Sequence, residues 1–116
     1  MKDKSSEVIT GQCHCGSIRY EAKLPILHSD YCDCRGCQKA SGAFEVPFVA
    51  VYVKNFKLIS GNLTSFRAVG GEGCDAEGSW NFCSRCGTQL FWKCDQADEL
   101  TIFAGTLDDV GVFQKV

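Results

Sequence analysis

The chain has 116 residues, a formal net charge of −2 and nine cysteines. That length suits one domain with a small core. Lys and Arg are scattered rather than gathered into a basic run, which leaves no electrostatic footprint for nucleic acid.

The start, Met1 to Gln12, is polar and mixed in charge, unlike a secretory signal, and no stretch is long enough to span a membrane. A cytoplasmic setting is expected, where thiols stay reduced and clustered cysteines serve as ligands more often than as bridges. Residues 1–10 read as a loose tail and residues 11–116 as a single domain. Ser17 to Lys23 alternates, with Ile18, Tyr20 and Ala22 on one face, and predicts a half-buried strand ended by Pro25. Leu27 to Cys32 extends into a cysteine cluster, and Gln38 to Ser41 predicts a short helical turn stopped by Gly42. Glu45 to Val53 is β-branched and aromatic and predicts a central strand, with Pro47 limiting its first pairings. Turns at Lys54-Asn55 and Gly61-Asn62 bound strands over Phe56 to Ile59 and Leu63 to Val69. Gly70 to Gly78 is glycine-rich and acidic and reads as a loop. Ser79 to Phe82, Gln89 to Lys93 and Leu100 to Ala104 complete a mainly β fold with short strands and little helix.

Seven cysteines fall in three groups: Cys13-His14-Cys15-Gly16, Cys32-Asp33-Cys34-Arg35-Gly36-Cys37 and Cys83-Ser84-Arg85-Cys86-Gly87. Residues i and i+2 of a strand point to one side, so a Cys-x-Cys pair aims two sulfurs at one ion. Cys-x-x-Cys-Gly does the same from a tight turn. Zinc takes four ligands in a tetrahedron, so each two-sulfur arm needs a second arm. Cys13 and Cys15 with Cys83 and Cys86 make a closed structural site. Cys32, Cys34 and Cys37 make a three-sulfur site with one open position. That gives two zinc ions per chain. A closed alternative for the second site would take Cys74 or Cys94 as its fourth sulfur. His14, between two ligating cysteines, should point away from the metal, and His28 reads as an ordinary strand residue.

Three thiolates leave a zinc ion at −1 overall, a weaker Lewis acid than one held by three neutral imidazoles. Such a centre suits a substrate thiol as its fourth ligand better than activated water. Arg35 and Lys39 are the candidate cations to offset the added charge and bind substrate.

The runs Gly11 to Tyr20, Cys32 to Cys37 with Ser41-Gly42, Phe82 to Thr88 and Ala104 to Asp108 resemble the glutathione-dependent formaldehyde-activating enzyme family and the related centromere protein V group. The resemblance spans about Gly11 to Asp109. It implies an Mss4-like zinc-binding β fold, the same division of the cysteines, and Cys32, Cys34 and Cys37 as the catalytic zinc ligands. The implied activity is a carbon–sulfur lyase reaction joining formaldehyde and glutathione as S-(hydroxymethyl)glutathione. Asp33 stands where members of the family often carry His. The C-terminus is shorter than in relatives, so a second copy is one source of a missing edge, and a homodimer is one expected arrangement.

Two other functions compete. A non-catalytic, zinc-stabilised interaction module would turn Phe44, Phe48, Tyr52, Phe91 and Trp92 toward a partner, although aromatic residues in strands usually fill cores. A redox sensor would use Cys34-Arg35-Gly36-Cys37, but the flanking βαβ pattern of such motifs is missing.

Overall fold

Residues 7–69 and 77–113 are described in the structure, a computed structural model. Along them run β1 (Val8–Gln12), β2 (Arg19–Lys23), β3 (His28–Cys32), helix α1 (Arg35–Ser41), β4 (Val46–Tyr52), β5 (Phe56–Ser60), β6 (Leu63–Val69), β7 (Glu77–Cys83), β8 (Gln89–Cys94) and β9 (Glu99–Phe103). Every strand pairing is antiparallel. They form a three-stranded sheet, β1-β2-β5, and a six-stranded sheet, β3-β4-β9-β8-β7-β6. The expected mainly β architecture with little helix is what the chain adopts.

Alternation along the central strands sorts side chains into two cores. Val49 and Val51 of β4, with Leu100 and Ile102 of β9, pack against Ile9, Tyr20 and Ala22 of the small sheet. Val46, Phe48 and Phe103 emerge on the opposite face with Trp80 and Trp92, and that face carries Cys32 and Cys37. The small sheet therefore covers one face of the large sheet, and α1 lies against the other through β4. At β7–β8 the register shifts between Asn81↔Phe91 and Phe82↔Gln89, so Leu90 is an extra residue. This bulge lets Leu90 and Phe91 face the same core and changes the aim of Gln89.

Several boundaries differ from expectation. Residues 8–10, assigned to the tail, lie in β1, because β2 offers them a full ladder from Val8↔Lys23 to Gln12↔Arg19. The short turn at Gln38 begins earlier, at Arg35, and ends at Gly42, whose φ of 78° makes the left-handed cap. Pro47 sits opposite Tyr31, and pairing with β9 begins only at Phe48, which spares the missing N–H. The expected loop over Gly70 to Gly78 is shortened by β7, which starts at Glu77; residues 70–76 lie outside the described residues. Of the aromatics assigned to a partner surface, Phe48, Phe91 and Trp92 are buried, and only Phe44 is prominently exposed, at 87%. No helix among the described residues is long and apolar enough to cross a membrane.

Candidate metal centres

The turn after β1 and the turn after β7 have the same form. Gly16 N–H donates to the Cys13 carbonyl at 3.1 Å and Gly87 N–H to the Cys83 carbonyl at 3.0 Å. Both glycines hold positive φ, 82° and 81°, which closes each turn behind its sulfurs. The arms meet: the sulfurs of Cys13, Cys15, Cys83 and Cys86 all lie within 4.8 Å of one another. Cys13 and Cys15 sulfurs are 3.6 Å apart, and those of Cys15 and Cys83 are 3.8 Å apart.

A tetrahedron with Zn–S bonds of about 2.3 Å sets its sulfurs about 3.8 Å apart, whereas a disulfide would need about 2.05 Å. The donor set therefore fits a zinc ion. Amide N–H groups of Ile18, Arg85 and Cys86 point at the Cys13 and Cys83 sulfurs at 3.3 to 3.4 Å. The Ser17 hydroxyl stands 3.1 Å from the Cys15 sulfur and 3.4 Å from that of Cys83. Hydrogen bonding from the Ser17 hydroxyl, then from the Cys86 amide, brings the Cys83 thiol down to about 7. The Thr88 hydroxyl and amide bring Cys86 down to about 5. Both favour the thiolate form that a metal requires.

The second cluster is local. Cys32 closes β3, Cys34 is the N-cap of α1 and Cys37 sits in its first turn. Their three sulfurs also lie within 4.8 Å of one another, with Cys32 and Cys34 at 3.4 Å. The Cys37 amide donates to the Cys34 sulfur at 3.4 Å. Burial opposes ionisation of Cys34, but that amide and the neighbouring thiols bring its pKa below the usual range. Burial pushes Cys32 up to about 11 and Cys37 higher still. Three crowded sulfurs, two of them on buried residues, cannot all ionise unaided, and a divalent cation removes that obstacle. Among the described residues, no fourth Cys, His, Asp or Glu joins this group. Cys94 is disulfide-bonded and so supplies no thiolate; Cys74, the other alternative, lies outside the described residues.

His14 is exposed and outside both clusters; its amide donates to the Thr88 hydroxyl at 3.1 Å. His28 stacks edge-on to Phe48 and contacts Glu99 at 3.2 Å, also away from the sulfurs. Arg35 and Lys39 share one side of α1 and line a groove over β6 and β7. A helix turns about 100° per residue, so Cys37 lies roughly opposite Arg35. Gln89 was not singled out from the sequence. Its Oε1 is buried without a hydrogen-bond partner, and no local motif could have announced it.

Residues 8–116 match the family model described as glutathione-dependent formaldehyde-activating enzyme. Among solved structures, a crystal structure of a Rhodobacter sphaeroides protein resembles the chain with a TM-score of 0.63 and 22% identity. The likeness covers 85% of this chain and 87% of that one, and it concerns the fold.

Proposed function

The chain belongs to the glutathione-dependent formaldehyde-activating enzyme family, and from that premise we propose that it is a zinc-dependent carbon–sulfur lyase acting on a small thiol such as glutathione. Residues 11–116 act as one domain with two zinc ions. Cys13, Cys15, Cys83 and Cys86 hold the structural one; Cys32, Cys34 and Cys37 hold the catalytic one. The observation that carries this reading is the inequality of the clusters, four sulfurs against three.

In the reaction the thiol sulfur attacks the formaldehyde carbon and a carbon–sulfur bond forms. The carbonyl π pair goes to oxygen, which gains the proton the thiol gave up, and the product is the S-hydroxymethyl adduct. When bound, zinc would supply the positive charge that keeps the substrate thiol ionised at neutral pH. The chain's own residues fix the geometry. Cys32 is anchored by the β3–β4 ladder opposite Val46, and Cys37 is 1% exposed beneath α1. Cys34 is only half-buried, so its side gives the approach for an incoming sulfur. No side chain needs to act as acid, because water can protonate the hydroxymethyl oxygen.

The test is exchange between formaldehyde and glutathione, followed by NMR with and without the zinc-loaded protein. Acceleration that disappears in Cys34→Ser is expected. No acceleration, or equal acceleration by that variant, removes the catalytic assignment.

A further inference from the structure

The groove beside α1 has a cavity volume of about 680 Å³, within the span of small-molecule sites. Its floor is apolar: Phe66 and Ala68 of β6 lie beside Trp80 and Phe82 of β7, with Phe66 directly opposite Trp80 in the ladder. Phe66 is 61% exposed, an aromatic left uncovered in the middle of a strand. Along the rim stand two exposed cations, Arg35 and Lys39, one helical turn apart. Arg35 is steadied by Gln38 Oε1 at 2.6 Å, and neither cation forms an ion pair among the described residues. The described lining contains no carboxylate. Gln89 belongs to the same lining, beside the bulge, and its buried Oε1 has no hydrogen-bond partner.

We propose that this groove binds an amphipathic organic anion and, resting on the function proposed above, that the anion is the body of the thiol substrate. The groove adjoins the three-sulfur cluster. Arg35 and Gly36 lie between Cys34 and Cys37, and Ala40, Ala68 and Trp80 pack in the same apolar cluster as all three cysteines. The anionic end meets Arg35 and Lys39, and the apolar body covers Phe66 and Trp80. The thiol accepted there therefore carries an anionic group beside an apolar portion.

The holoprotein is titrated with 4-phenylbutyrate and with the neutral 4-phenylbutyramide. Binding is read from the emission of Trp80 and Trp92, whose rings lie 4.6 Å apart. The carboxylate should bind saturably and roughly fivefold or more tighter than the amide, as charge-assisted contacts allow. Lys39→Gln should erase that difference, and Phe66→Ala should weaken both ligands. Equal binding of acid and amide, or a Lys39→Gln protein that still discriminates, overturns the anion site. Formaldehyde exchange is then compared for 4-(mercaptomethyl)benzoate and its uncharged analogue (4-methylphenyl)methanethiol. The carboxylate thiol should be accelerated more, with Lys39→Gln raising its KM toward that of the uncharged thiol; equal acceleration overturns the substrate assignment. Should the carboxylate bind while neither thiol is accelerated, the zinc–thiol function fails and the groove stands as an anion site.

Discussion

Removing one sulfur from each arm of the four-sulfur cluster should cost far more stability than opening the three-sulfur cluster. The suitable pair is Cys15→Ser with Cys86→Ser, since Cys15 is half-buried and Cys86 exposed, so neither change digs into the core. Cys15 and Cys83 stand 68 residues apart in sequence. A cross-link closing a loop of that length restricts the unfolded chain by about 4 kcal/mol in the chain-entropy treatment. Against a typical total of about 5–15 kcal/mol, that loss leaves the fold marginal. The other cluster spans short steps, two residues from Cys32 to Cys34 and three from Cys34 to Cys37. Its closure is worth about 2 kcal/mol at most, and the β3–β4 ladder and α1 already hold much of that geometry. Urea unfolding followed by tryptophan emission, with zinc content measured on the same samples, reads both effects. Cys34→Ser should lose about one zinc per chain and keep a cooperative transition. The double variant should lose one zinc and most of its stability. A Cys34→Ser protein as destabilised as the double variant would refute the loop-length reasoning.

Gly11→Ala places a methyl group onto the Tyr20 hydroxyl and the Thr106 carbonyl, and should lower unfolding stability by about 2 kcal/mol or more in urea titration. Burial pushes the Tyr20 hydroxyl up to about 12 against the modest opposing effect of its Thr106 hydrogen bond. Because the folded pKa is raised, this contribution is complete below pH 10 and fades as pH climbs toward 12, by about 2–3 kcal/mol in all. Tyr20→Phe should therefore cost about 1 kcal/mol at neutral pH and flatten the alkaline fall; an unchanged alkaline limb would count against it. Ser17→Ala removes the hydroxyl that stands among three sulfurs at 3.1, 3.4 and 3.9 Å. Transfer of zinc from the four-sulfur site to a chromogenic chelator should speed up roughly tenfold or more, with release from the three-sulfur site unaltered.

The cysteine clusters were legible because their geometry is local: Cys-x-Cys at a strand end and Cys-x-x-Cys-Gly in a turn each carry their own aim. Strands with clear alternation, such as Arg19–Lys23, were legible for the same reason. β1 was not. Its five residues include Gly11 and follow a polar stretch, and what makes them a strand is the β2 edge together with the Gly11↔Leu107 bridge. The Leu90 bulge was hidden inside a continuous apolar run, Leu90-Phe91-Trp92, which shows no period to be broken. Arg35 and Lys39 were legible as cations next to the cluster, but the groove they line over β6 and β7 was not, because it depends on strands distant in sequence. Gln89 lines the groove together with residues of distant segments, α1 among them, and nothing local in the sequence marks it.

Under the proposed function, the two clusters would divide labour by the span of chain they tie together. A cluster that draws β1 and β7 into one point makes metal binding and folding a single event, and sulfurs committed to it have no position left for chemistry. A cluster confined to one strand end and one helical turn contributes little to holding the fold. Its ligand number is then free to stay at three, and its surroundings can change without unfolding the chain. The helix that supplies Cys34 and Cys37 also supplies Arg35 and Lys39 on its other side. Under the proposed function, one seven-residue element would carry metal sulfurs inward and substrate cations outward, and changes on its outer side would adjust which thiol is accepted while the metal geometry stays fixed.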